Sequence, residues 1–399
     1  MNQANGAFLL LTGARGASLR ALRGRLPGRC ALGNISGLTV GVEEEFLLVD
    51  TETRRTVPRA AAVLARAIKT SAVPETAFQT ELVATQVEAA TGVCSDLPGL
   101  RGQLAEAREC LAKAAVAEGV RLVATGIPVL AGPTAPFMPG EHFARVSEIL
   151  AGAVAGYEAC GCHVHVGVPD PELAVAVVNH LRPWLPTLLA LSANSPFDRG
   201  CDSGYGSWRV QTQARFPGFG VPPWSGSAAE YDRRLERLVD LGVLADRTTT
   251  YWLARPSPRL PTVEVRAADT APTVDEAVLQ AALVRALVRT ALDDLAAGRE
   301  APPVADQVCA TALWSAARHG LDGPGIHPVD ERRVPATWLL DELLVRVRPA
   351  LEDAGDEAVV NALVREVRHR GTGAVRQRDA AADGLPGVVD MLVRQTGGG

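Results

Sequence analysis

Lysine is nearly absent from this 399-residue chain: Lys69 and Lys113 are the only two, and arginine carries the rest of the positive charge. Recognition of phosphate or carboxylate therefore falls mostly to guanidinium groups, whose planar fork suits bidentate oxyanion contacts. No excess of positive charge exists to bind nucleic acid, since the formal net charge is −5. No uninterrupted apolar run approaches the ~18 residues that a membrane span requires, so neither a membrane nor nucleic acid is an expected partner. The seven cysteines are scattered and odd in number, which argues for reduced thiols and a cytoplasmic location. Several familiar motifs are also missing. There is no G-x-x-x-x-G-K-[ST] phosphate loop, no convincing dinucleotide fingerprint and no H-E-x-x-H, and no G-x-S-x-G nucleophile elbow. Bound ATP would have to be held without a Walker lysine.

What is present reads as a globular protein, with 47% hydrophobic and 21% charged residues. The length allows two or three domains or one large one, and neither an internal repeat nor a long linker forces a boundary. Residues 1–37 stand apart, because "GARGASLRALRGRLPGRCALGNIS" carries arginines but no acids. A transit peptide has that bias. The reading preferred here is an unstructured extension, since "AFLLLTG" is short for a signal core and follows no basic segment.

The stretch "LTVGVEEEFLLVD", residues 38–50, places three glutamates in an apolar run that reads as a β-strand. Strand parity separates them. Val40, Val42, Phe46 and Leu48 share a face with Glu44, while Glu43 and Glu45 lie on the other. Those two carboxylates would stand roughly 6 to 7 Å apart and repel by about 2 to 3 kcal/mol at an effective dielectric near 20. Water, a shared proton or a cation must relieve that repulsion. A solvated edge strand is the ordinary alternative, and a metal site needs further ligands elsewhere.

Helical spacing follows in "VPRAAAVLARAIK" and "GLRGQLAEARECLAKAAVAEG". Between them, Glu81, Thr85 and Glu88 fall at i, i+4 and i+7, sharing a face if that segment is helical. "VRLVATGIPVL" and "GCHVHVGVPD" read as strands, and residues 171–192 as a helix broken by Pro183 and Pro186. Residues 192–227, dense in Gly, Pro and Ser, read mostly as loop, the kind of segment that often carries function. A helix from about Ala228 to Leu241, the strand "TVEVRAAD", a helix from Val274 to Ala297 and a helical C-terminal part complete the chain.

Two of these strands carry further chemistry. In "PTVEVRAAD", Glu264 and Arg266 share a face, as a cross-strand salt bridge or as a metal ligand beside an oxyanion clamp. In "ACGCHVHVG", parity sends Cys160 and Cys162 to one side and His163 and His165 to the other, so one tetrahedral zinc site could not collect all four without a turn. The histidine pair remains usable for metal or phosphate. Glu43, Glu45, Glu88 and Glu264 with His165 and several arginines form an oxygen-rich set that favours Mg²⁺ or Mn²⁺ and hence phosphoryl transfer.

The motifs "GVEEEF", "TELVATQVEAAT", "CGCHVHVGV", "ANSPFDRGCDSGYGSWR", "ARFPGFG", "PTVEVRAAD" and "GTGAVRQR" occur in one order that resembles the glutamate–cysteine ligase type 2 family, the carboxylate–amine ligases, from about Leu38 to Thr396. The resemblance implies an α+β, glutamine-synthetase-like fold: a curved, mainly antiparallel sheet forming a catalytic funnel, with helices on its outer face, in one domain spanning residues 38–396. It implies an enzyme that uses ATP and Mg²⁺ (or Mn²⁺) to phosphorylate the γ-carboxylate of L-glutamate and transfer the acyl group to an amine, cysteine in the name-giving case. Its partners would be these small molecules, with homo-oligomerisation left open. By motif position, Glu43, Glu45, Glu88, His165 and Glu264 would bind metal, and Arg266 with Glu264 would serve catalysis. Arg209, Arg215 and His163 would bind substrate or phosphate, and Glu44 would be structural. Where many relatives carry an aromatic residue between the two arginines, this chain has Gln213, which leaves the acceptor open. A γ-glutamyl ligase for a specialised amine, a zinc hydrolase built on the cysteines, and a silent binding protein are the rival readings.

Overall fold

The computed structural model describes residues 38–71 and 76–397; the extension expected over residues 1–37 lies outside them. The acidic stretch forms strand β1 (Val40–Asp50), followed by helix α1 (Ala60–Thr70), the short strands β2 (Ala77–Thr80) and β3 (Gln86–Ala90), and helix α2 (Leu97–Ala117). Asp96 caps α2 by accepting from the Gly99 amide at 2.8 Å, the expected use of a short acid at a helix start. Strand β4 (Val120–Val123), helix α3 (Glu141–Leu150) and the histidine strand β5 (Gly161–Gly167) come next. The sequence around Pro183 and Pro186 behaves as read: α4 (Pro171–Leu181) stops before Pro183, and α5 (Leu185–Ser192) takes Pro186 into its first turn, where a missing N–H costs nothing. The loop-rich region contains the two-residue strands β6 (Phe197–Asp198) and β7 (Cys201–Asp202) and a short helix, α6 (Trp208–Gln213). Beyond lie α7 (Ala228–Asp240), β8 (Ala254–Pro256), β9 (Thr262–Asp269) and the long helix α8 (Val274–Ala296). The C-terminal part is helical, α9 (Asp306–His319), α10 (Ala336–Ala354), α11 (Glu357–Arg370), α12 (Gly373–Ala380) and α13 (Leu385–Thr396), interrupted by the hairpin β10 (Pro324–His327) and β11 (Arg332–Pro335).

The main sheet runs β2-β3-β1-β5-β9-β8, with β4 paired to the C-terminal part of β1, Leu47–Asp50, and every pairing in it is antiparallel. One face is apolar: Val40, Val42, Cys162, Val164, Val166, Val263 and Val265 pack with residues of α2, α4, α5 and α8 in one buried cluster. Complete burial of each such aliphatic side chain is worth about 1.5 to 3 kcal/mol, so helix packing holds this face inward. The opposite face carries the acids and histidines. This is the α+β arrangement expected, an antiparallel sheet with helices covering one side.

One segment differs from its helical reading. Residues 77–90 form a β-hairpin, β2 paired with β3, and Glu81 sits in its turn, so the i, i+4, i+7 spacing of Glu81, Thr85 and Glu88 does not reflect a helix. Val87 and Ala89 point into a second apolar cluster with Phe46 and Leu48, a two-residue alternation that outweighs the helical one.

Candidate active site

Register assembles the polar face strand by strand. Glu88 of β3 lies directly opposite Glu45 of β1, Glu43 of β1 opposite His163 of β5, and His165 of β5 opposite Glu264 of β9. On the far side, Glu264 faces Arg255 of β8. Directly opposed residues hold their Cβ atoms about 4.5 to 5.5 Å apart, so five strands suffice to gather residues more than 200 positions apart. Among the described residues, two groups have donor atoms close enough to share a metal ion: Glu43, His165 and Glu264, and Glu45, Glu81 and Glu88. The five expected metal ligands are thus all brought to one face and divided between two groups. Glu81 joins the second group and was missed as a ligand, although its spacing to Glu88 had drawn notice for another reason.

The two groups differ electrostatically. Burial pushes the Glu43 carboxyl up, but hydrogen bonds and charge from His163 and His165 outweigh it and hold the group well below the usual carboxylate range. His165 Nε2 lies 3.4 Å from Glu43 Oε1 and has no hydrogen-bond partner despite its burial, while Nδ1 pairs with Thr262 Oγ1 at 2.9 Å. That bond leaves Nε2 aimed at Glu43, the orientation a metal-bound imidazole needs. Glu264 is 2% exposed; burial raises its carboxyl, and the charges of Arg266 and Arg255 more than reverse this. Arg255 Nε donates to it at 2.7 Å, and Arg266 Nη1 also donates to it.

In the second group, burial and the charge of Glu81 push Glu45 up to about 8, even though Arg209 and Arg266 pull the other way. Glu88 is raised well above its ordinary value, first by burial and then by its hydrogen bond and repulsion with Glu81. Three carboxyls facing one another with no ion-paired arginine among them are a fit for a hard divalent cation, which takes oxygen ligands. The two carboxyls of β1 are therefore set apart: the imidazoles hold Glu43 low, and burial with the charge of Glu81 pushes Glu45 up.

His163 fills the space between the groups. Its Nδ1 is 3.3 Å from Glu43 Oε2 and its Nε2 3.6 Å from Glu45 Oε1, and burial together with the Arg266 charge lowers its pKa to about 4. Nδ1 also lies 3.3 Å from Arg266 Nη1, so the neutral ring either donates to Glu43 or accepts from Arg266, according to tautomer. Arg266 sits at a bulge: from Val164 to Cys162, β5 advances two residues while β9 advances three, from Val265 to Ala268. Such an extra residue redirects the side chains around it. Simple parity would put Asp269 on the apolar face; the bulge returns it to the side of Gly161.

Asp269 is fully buried, and burial pushes its carboxyl up. It accepts from the Asn194 amide at 2.9 Å, Ser195 Oγ at 2.7 Å and Ser207 Oγ at 2.7 Å, and Arg209 Nη1 stands 3.8 Å away. Arg209 itself is 1% exposed, makes long bonds to the carbonyls of Ala267 (3.4 Å) and Arg266 (3.3 Å), and leaves Nε without a partner. Its charge reaches Glu45, so it belongs to the acidic face. Arg215 does not. It is exposed, with its guanidinium 5.9 and 5.8 Å from the ring centres of Tyr157 and Phe216. The structure therefore sets apart the two arginines that the family resemblance assigns to substrate or phosphate. Arg255 and Asp269 were not singled out in the sequence. A short strand hid the first and the bulge hid the second.

The zinc reading meets its correction here. Cys162 is buried in the apolar cluster, whereas Cys160, one residue before β5, receives Gln86 Nε2 at 3.2 Å. Burial pushes both thiols far up, and neither metal-capable group among the described residues includes a cysteine. Glu44, on the helix side, is bound by Arg108 through Nη2 at 2.6 Å and Nε at 2.9 Å, a structural role in keeping with its parity.

The chain is similar in sequence and in fold to known proteins. The model of glutamate-cysteine ligase family 2 matches residues 39–387. A protein of Saccharopolyspora erythraea, provisionally named glutamate–cysteine ligase 2-2, is 54% identical over 365 residues, covering 91% of this chain and 93% of that one. A Salinispora arenicola protein, provisionally named glutamate–cysteine ligase 2, is 45% identical over 367 residues, covering 91% and 96%. Among solved structures, a glutamate–cysteine ligase from Francisella tularensis in complex with AMP shares the fold at a TM-score of 0.65 and 14% identity, covering 90% of this chain and 89% of that one. Among the described residues no helix is long and apolar enough to cross a membrane. This chain belongs to glutamate-cysteine ligase family 2, and it is a ligase.

Proposed function

We propose that the chain, as one catalytic domain over residues 38–396, uses ATP to join the γ-carboxylate of L-glutamate to the amine of an amino acid, with L-cysteine the first candidate. The observation that carries this reading is the pairing of two acid groups with Arg266 and Arg209 on one sheet face. Glu43, His165 and Glu264 would hold one divalent cation, and Glu45, Glu81 and Glu88 another. Mg²⁺ or Mn²⁺ bound there supplies positive charge to the phosphates of a nucleotide. The AMP bound by the Francisella tularensis enzyme supports a nucleotide in this fold.

In the reaction proposed, a γ-carboxylate oxygen of glutamate attacks the terminal phosphorus of ATP and ADP leaves. The amine nitrogen then attacks the acyl carbon, phosphate leaves with the bonding pair, and the nitrogen gives up a proton. Such chemistry depends on positioning and on neutralising charge. Arg266, held by Glu264 and partly exposed, can follow the developing negative charge as a preorganised donor. Arg209, whose Nε has no partner, can take an oxygen of substrate or phosphate, and His163 stands between Glu43 and Glu45. Cys160 and Cys162 are buried and belong to neither metal-capable group among the described residues, so they give the rival zinc hydrolase no ligand set.

Glu45→Gln and Glu88→Gln test the reading, because burial raises both carboxyls and an amide of nearly the same shape should leave the fold intact. Each variant is expected to lose ADP release at least ~100-fold, about 2.7 kcal/mol of barrier, with unchanged circular dichroism. Near-normal turnover in both would reject the assignment. A γ-glutamyl ligase for a specialised amine shares these expectations and differs only in the acceptor.

A further inference from the structure

Asp202 in "ANSPFDRGCDSGYGSWR" and Arg378 in "GTGAVRQR" lie off the acidic face, and the two motifs meet around a second cavity, of about 520 Å³. The first motif contributes Asp202, Gly204 and Gly206 to its lining, the second Thr372 and Arg378, and the end of α9 Arg318 and His319. No side chain of the acidic face lines it.

Arg378 donates to both oxygens of Asp202, from Nε at 2.9 Å and from Nη2 at 2.7 Å, so these two charges neutralise each other and tie α12 to the loop. Arg318 has no such partner. Cations are usual near a helix C-terminus, yet neither Arg318 nor His319 makes an ion pair among the described residues. Arg318 Nη1 donates to the Gly204 carbonyl, and the guanidinium stands 5.3 Å from the Tyr205 ring centre, which leaves Nε and Nη2 over. The His319 ring meets Trp314 edge-on, and its nitrogens have no hydrogen-bond partner among the described residues. Thr372, the residue before α12, is 3% exposed. Its hydroxyl neither caps the helix nor finds another partner among the described residues, a state that costs about 1 to 3 kcal/mol for a buried polar group. Beside it lies the positive end of α12, where the amides of Gly373 and Val375 also lack an acceptor among the described residues.

We infer that this cavity binds a small oxyanion, a carboxylate or inorganic phosphate, held between Arg318, the Thr372 hydroxyl and the start of α12. A free guanidinium, a buried hydroxyl and a helix N-terminus are all donors, and an oxyanion is the acceptor that serves them together. The remaining acids of the lining, Asp322 and Asp379, are exposed. They oppose a chain of phosphates such as a nucleotide carries more than a single small ion. The site does not depend on the reaction proposed above, but it bears on the acidic face. A Cβ on Gly373 would lie 2.2 Å from Asn194 Oδ1, so the start of α12 rests on the residue whose amide holds Asp269. The amides of Gly206 and Ser207 both donate to the Ala317 carbonyl of α9 at 2.9 Å, and the Ser207 hydroxyl binds Asp269 as well. An oxyanion joining Arg318 to Thr372 clamps together the two elements that support Asp269.

The test follows the His319 side chain by NMR in histidine-labelled protein, its signal assigned with His319→Gln, during separate titrations with inorganic phosphate and acetate at constant ionic strength. At least one anion is expected to displace that signal saturably, half-complete below about 10 mM. Arg318→Ala should weaken this at least tenfold and Thr372→Val, which trades only the hydroxyl for a methyl, about fivefold. Saturation by phosphate alone or by acetate alone upholds the site and names its ligand. The same anion should raise the urea midpoint of the wild-type chain clearly more than that of Arg318→Ala. No saturation with either anion, saturation only at higher concentration as an adventitious ion would give, or unchanged affinity in both variants overturns the inference. Arg318 is half-buried, and Thr372→Val guards against a variant that fails to fold. Neither ATP nor glutamate enters the titration, so its failure leaves the ligase reading standing.

Discussion

Three adjacent glutamates meet three fates, each set by what stands opposite. Glu44 enters a helix-side ion pair with Arg108, both about 1% exposed, and Arg108 also ties the carbonyls of Ala271 (2.8 Å) and Pro272 (3.2 Å). Removing one member of such a pair strands a buried charge and costs about 3 to 5 kcal/mol, whereas replacing both with apolar groups is often neutral. Arg108→Ala is accordingly expected to lower unfolding stability by about that much in urea titration, and Arg108→Met combined with Glu44→Leu by clearly less. Equal losses would show that the carbonyl contacts, not the charge pairing, dominate. Glu43 and Glu45 have no such partner on the helix side and remain for the polar face.

Strand parity made much of the site legible at the level of elements. Alternation in β1, β5 and β9 placed Glu43 with Glu45, His163 with His165 and Glu264 with Arg266, because one face of each strand is apolar and a one-residue slip would bury the charges. Two features escaped it. The β2–β3 hairpin is short, and over so few residues helical and strand periods both fit Glu81, Thr85 and Glu88. A bulge in β9 adds a residue that no pattern of alternation reveals, and so Asp269 was overlooked. Gly161 illustrates how closely these elements meet: a Cβ there would lie 2.3 Å from Arg209 Nη2 and 3.0 Å from His163 Nε2. Gly161→Ala must displace Arg209, and ADP release is expected to fall at least tenfold, about 1.4 kcal/mol, in steady-state assays. Full activity in that variant would mean that the position of Arg209 is unimportant.

Across the whole molecule, the C-terminal helices reach back to the site. Gln377 of α12 is fully buried and donates to the Asn194 carbonyl at 2.9 Å and to Asn194 Oδ1 at 2.8 Å, while the Asn194 amide donates to Asp269. The "GTGAVRQR" motif, informative in sequence only through the family resemblance, thus fastens α12 to the loop that supports Asp269 and, beyond it, Arg209. Gln377→Ala leaves the buried Asn194 Oδ1 unpaired and is expected to cost about 1 to 3 kcal/mol, read as a lower urea midpoint. An unchanged midpoint would deny the fastening.

The most direct measurement is mass spectrometry of the purified chain incubated with ATP, Mg²⁺, L-glutamate and L-cysteine, with ADP and amide products followed together. The expected result is ADP and a γ-glutamyl amide in equal amounts, both dependent on glutamate and on Mg²⁺. ADP formation that ignores glutamate, or no ADP and no amide with any amine supplied, would contradict the assignment of the acidic face to ATP-driven amide formation.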